Sequence, residues 1–92
     1  MAKVMKYEEL VARMPVNAVE LVEMWLRQIE YRKKGAVTGK DLTDIFIGRV
    51  KGVLELMEDM DYITDEERHA LYRFYGISKS VADPRFDIIV ER

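Results

Sequence analysis

Cysteine is absent from the 92-residue chain. That excludes a disulfide framework, a thiolate nucleophile and any zinc site built on cysteine. Histidine and tryptophan occur once each, at His69 and Trp25, and proline only at Pro15 and Pro84, so few positions interrupt a helix. No apolar run approaches the roughly 20 residues that span a bilayer. The opening "MAKVMKYEEL" has no apolar core of signal-peptide length. A cytoplasmic protein without membrane contact is therefore the expectation. Ninety-two residues suit one domain, with too little core to enclose a large ligand cavity.

Neither sign of charge dominates, and the net charge is −2. The distribution is uneven. Residues 1–51 hold ten Lys/Arg against seven Asp/Glu, and residues 52–92 hold five against ten. Within "EDMDYITDEE", residues 58–67, six acids stand without a base. Such a dipolar molecule attracts an anionic partner at one end, or a copy of itself head to tail.

What the chain has in quantity is helical period. "KYEELVARMP" reads as a short first helix that ends before Pro15, because the residue before proline is pushed out of the α region. Asn17 with Glu20 resembles a capping box, and Val16 stands where a hydrophobic staple would. The second helix then places Ala18, Leu21, Val22, Trp25, Leu26 and Ile29 on one face, with Trp25 expected in the core. Glu23–Arg27 and Glu30–Lys34 fall at i,i+4 on the other. Gly35 suits the end of that helix, and Thr38 with Asp41 the start of a third. There Leu42, Phe46, Val50, Val53, Met57 and Met60 form a bundle seam, widened on one margin by Ile45 and Leu56 and on the other by Ile47 and Leu54. This apolar arc covers about 200° by helical geometry, more than one contact face requires. Gly48 and Gly52 lie inside the helix, each costing about 1 kcal/mol relative to alanine, and Gly52 borders the Ile45/Leu56 margin. A fourth helix starts at the capping box Thr64–Glu67, carries Leu71, Phe74 and Tyr75 as its stripe, and stops at Gly76 with Ile77 placed for a Schellman contact. Beyond it the period becomes two: Phe86, Ile88 and Val90 alternate with Asp87, Ile89 and Glu91, a strand pattern with no second candidate strand in the chain.

The stretch "YRKKGAVTGKDLTD", residues 31–44, resembles a phosphate loop but fails as one. Gly35 to Gly39 is one residue short of the required spacing, and Asp41 stands where a hydroxyl should bind magnesium. It reads instead as the turn of a helix hairpin, with Arg32, Lys33, Lys34 and Lys40 crowded near a helix N-terminus, where anions bind readily. Glu66 and His69 form half of a carboxylate-bridged metal motif, but in an exposed first turn. Ser78 and Ser80 follow a helix end with no nucleophile elbow. "DMDYIT" lacks calcium ligands at Leu56 and Met60. No metal, cofactor or catalytic group is expected.

The sequence therefore predicts an all-α fold of one domain, with helices over about 6–14, 17–34, 39–60 and 65–75. The second and third form a central antiparallel hairpin, and an extended C-terminal tail covers 77–92. The functional expectation is a small non-enzymatic protein-binding or adaptor protein acting as a homodimer, of the kind that accompanies phages and mobile elements. Met24, Gln28, Tyr31, Ile45, Gly52 and Leu56 are its candidate partner surface. The alternative is nucleic-acid binding, or binding of a small anion, through the basic hairpin end: Arg32, Lys33, Lys34 and Lys40, with Arg27, Arg49 and Lys51 extending it.

Overall fold

The computed structural model describes residues 3–33, 40–77 and 88–92. Along them run strand β1 (Lys3–Lys6), a short helix α1 (Tyr7–Val11), the long helices α2 (Val16–Lys33) and α3 (Lys40–Asp59), helix α4 (Asp65–Tyr75) and strand β2 (Ile88–Glu91). The described chain is mostly helical, so the all-α expectation broadly fits, with a small two-stranded parallel sheet added to it.

The C-terminal segment corrects the expectation of a tail with no mate in the chain. β2 pairs in parallel with β1, Lys3 opposite Ile88 and Lys6 opposite Glu91. β1 carries no strand signal of its own because "KVMK" is four residues long and merges with the helical pattern after it. The first helix is correspondingly shorter than residues 6–14. A parallel pair needs a long crossover, and the helices lie in sequence between its two strands. Alternation then sorts the sheet: Met5, Ile88 and Val90 turn into the core, while Val4 and Ile89, in register with each other, face outward. Phe86 lies outside the described residues.

Leu10, Val22, Val50, Leu54 and Leu71 are the most deeply buried large side chains, one or two from each of α1 to α4. α3 packs on both α2 and α4, and the sheet packs on α4. On α3 the margin carrying Ile47 and Leu54 faces this core, whereas Ile45, Leu56 and Met60 stay exposed. Leu21 is exposed and Trp25 only half-buried, against the sequence expectation for both.

Local endings follow sequence chemistry unevenly. At α4 the Thr64 hydroxyl accepts from the Glu67 amide at 3.1 Å, and the Glu67 carboxylate accepts from the Thr64 amide at 2.9 Å. Gly76 takes the left-handed conformation, and the Ile77 amide donates to the Tyr72 carbonyl, closing a Schellman turn. At α2 the expected Asn17 box is not formed. The helix begins one residue earlier, with the Pro15 carbonyl accepting from Ala18 and Val19 and Val16 exposed, so no staple forms. Proline's fixed φ presets this entry without a side-chain cap. α3 ends with the Tyr62 amide on the Met57 carbonyl and Asp61 at φ 65°, a left-handed position that aspartate tolerates better than most residues. Gly35 and Thr38 lie outside the described residues.

Glu67 does more than cap. Arg13, in the turn after α1, donates to both of its oxygens, at 3.2 and 2.9 Å. The residue is only 5% exposed. Burial pushes its carboxyl pKa up, but the Thr64 amide and the Arg13 guanidinium outweigh burial and hold it below the usual value. A depressed folded pKa gives stability that is present above the unfolded value and lost as pH falls through the folded one. Unfolding free energy should therefore drop on acidification from about pH 5 to about pH 3. Glu67→Gln should flatten part of that slope and cost about 1–3 kcal/mol at neutral pH; urea titrations across pH check both. The strand register makes its own forecast for the same measurement. Ile88→Ala should cost about 2–5 kcal/mol, whereas Ile89→Ala should stay within about 0.5 kcal/mol.

Candidate functional site

The outward face of α3 is built from residues spaced at helical turns: Ile45, Gly48, Gly52 and Leu56, with Met60 beyond the helix end. Ile45 is 48% and Leu56 51% exposed. A methyl group placed at Gly48 or Gly52 would meet nothing within 4 Å. Among the described residues no neighbouring element therefore makes use of the missing side chains. Three of the expected partner residues, Ile45, Gly52 and Leu56, share this face. Met24, Gln28 and Tyr31 are exposed on α2, and Tyr31 lines a cleft to which no α3 residue contributes.

The basic stretch expected at a hairpin end is described in part. Lys34 lies outside the described residues, and only the backbones of Lys33 and Lys40 are described. Arg32 is half-buried, its guanidinium carbon 5.4 Å from the centre of the Phe46 ring. Its Nε and Nη1 are buried without a hydrogen-bond partner among the described residues. Arg49 lies over the same ring at 5.8 Å and over Trp25 at 5.9 Å. Both guanidiniums lie over aromatic surface between α2 and α3, Arg32 half-buried and Arg49 exposed. Lys51 sits 5.6 Å from the Tyr72 ring, turned toward α4.

The α3–α4 junction is held by ionic contacts. Arg68 binds the carboxylates of Glu58 and Asp65 and donates to the Tyr72 hydroxyl, which in turn donates to the Lys51 carbonyl at 3.2 Å. His69 Nδ1 lies 2.9 Å from the Asp65 carbonyl. Among the described residues no three histidine or carboxylate side chains converge as metal ligands, and no helix is long and apolar enough to cross a membrane.

One convergence was invisible in the sequence. Tyr7 at the start of α1, Glu23, Leu26, Arg27, Glu30 and Tyr31 from α2, Tyr75 from the end of α4, and Arg92 after β2 line a cleft of about 500 Å³. The Tyr7 and Tyr75 hydroxyls hydrogen-bond to each other at 2.8 Å, and Phe74 stacks on the Tyr7 ring. The Arg92 guanidinium lies 5.4 Å from the Tyr7 ring and 5.5 Å from the Phe74 ring. No periodic signal joins four elements so far apart in the chain.

Set beside known protein families, curated proteins and solved structures, the chain matches none. The functional reading accordingly stands on side-chain geometry.

The α3 glycines yield a test of their own. If nothing inside the protomer needs them, Gly48→Ala and Gly52→Ala should each stabilise dilute protein by about 0.5–1 kcal/mol through a less flexible unfolded chain. Urea denaturation at low concentration reads this directly.

Proposed function

We propose that the protein is a non-enzymatic interaction module, built on an antiparallel α2–α3 hairpin, that pairs with a second copy of itself through the outward face of α3. The observation that carries this reading is the pair of exposed glycines between Ile45 and Leu56, with open space where their side chains would be. Glycine within an exposed helix costs about 1 kcal/mol relative to alanine. A helix from another chain offsets that cost, since two backbones approach most closely where a side chain is missing. Ile45 and Leu56 then lose water on either side of the contact.

Nucleic-acid contact through the hairpin end is the weaker reading. The buried Nε and Nη1 of Arg32 cannot reach a phosphate without unpacking the guanidinium from Phe46. The acidic run after α3 also opposes a polyanion.

Light scattering over a concentration series tests self-association. The wild type should be dimeric at high micromolar concentration, and Gly52→Leu should shift it to monomer. Glu66→Ala, on the exposed surface of α4, should leave it unchanged. A wild type that stays monomeric throughout refutes the proposal.

A further inference from the structure

The cleft between α1, α2 and α4 carries charge of both signs without internal pairing. Glu23, Arg27 and Glu30 follow one another along α2 at spacings that allow ion pairs. Among the described residues, however, none of them forms one, and neither does Arg92. The four lining charges cancel. A phosphate entering the cleft would meet two carboxylates, and a metal cation would meet two guanidiniums. A ligand carrying one charge of each sign meets both kinds of partner.

The inner wall gives those charges a direction. Tyr7 and Tyr75 share one hydrogen bond. Whichever phenol donates, the second O–H is left with no acceptor among the described residues, although burial raises the pKa of both groups and keeps them protonated. The Glu23 carboxylate adds to that rise at both phenols, and Arg92 opposes it at both. Glu23 and Arg92 therefore act on the same hydroxyl pair with opposite charge. Leu26 and Tyr31 supply apolar surface alongside. A volume of about 500 Å³ falls within the range of small-molecule sites.

We propose that this cleft binds a free amino acid with an aromatic side chain. Its ammonium group pairs with Glu23, its carboxylate accepts from Arg92 and the spare phenol O–H, and its ring covers Leu26 and Tyr31. Charge-assisted contacts to both poles set the class of ligand. The site is separate from the α3 face, and its occupancy does not depend on self-association.

Backbone amide NMR with L-phenylalanine as the probe, added to about 10 mM to cover weak specific binding, tests the proposal. Saturable shifts are expected at the amides of Glu23, Arg27 and Tyr75. Phenylalanine methyl ester lacks the carboxylate and hydrocinnamate lacks the ammonium group. Each should bind at least about tenfold more weakly, as should phenylalanine to Glu23→Gln or Arg92→Gln, since each change removes one charge-assisted contact. The spectra of the variants report directly whether they remain folded, and the two analogues probe the same poles on unaltered protein. No saturable shift, shifts confined to other parts of the molecule, or analogues that bind as well as phenylalanine would each overturn the proposal.

Discussion

The fold turns on one buried carboxylate. Glu67 receives the Thr64 amide that starts α4 and both arms of Arg13, which follows α1. It thereby fixes where the N-terminal segment sits against the fourth helix. A carboxylate removed from water must have its oxygens occupied or be neutralised. Only with α1 and α4 in this relation are both oxygens of Glu67 occupied. From that junction α1 runs back to Tyr7, whose ring meets Phe74 and whose hydroxyl meets Tyr75 at the far end of α4. β1 precedes Tyr7 directly, so the position of β2 follows as well. The helix is clamped at both ends by the N-terminal segment, once by charge and once by aromatic packing.

α3 is shaped by a different requirement. Its apolar arc is wider than contact with α2 and α4 consumes, and the excess lies on one margin, Ile45 and Leu56, beside Gly48 and Gly52. The opposite margin, with Leu54, supplies the core. Both margins are written in the same residue types, so hydrophobicity alone does not say which one turns inward. The choice is made by volume: α2, α4 and the sheet complete a core on the Leu54 side, and no described element covers Ile45 and Leu56 on the other. Arg32 and Arg49 add to the α2–α3 seam, since their guanidiniums lie over the Phe46 ring and, for Arg49, over Trp25.

Residues that act through their immediate neighbours in the chain were legible. The capping box at Thr64, the glycine stop at Gly76 and the inward alternation of Ile88 and Val90 all rest on side chains within a few positions of one another, and local chemistry suffices to read them. Asn17 failed by the same local logic, because Pro15 just before it offered a competing helix start. β1 was not legible, for two apolar residues among four carry no measurable period. The Glu67–Arg13 pair and the Tyr7–Tyr75–Arg92 cleft were also out of reach. Their members stand tens of residues apart and belong to patterns, an acidic first turn and an apolar stripe, that look complete without them.

What the sequence determined by itself is the set of helices, the absence of thiol chemistry and the uneven placement of charge, since each follows from local propensity or plain composition. The tertiary structure alone decided that a strand from each end of the described chain would meet in one sheet, that Ile45 and Leu56 would face outward, and that two arginines and two glutamates would gather around a pair of phenols. The physical reason is common to all three. A side chain's neighbours across the fold are selected by which surfaces fill the core together, and that competition among whole elements leaves no trace in the spacing of residues along any one of them.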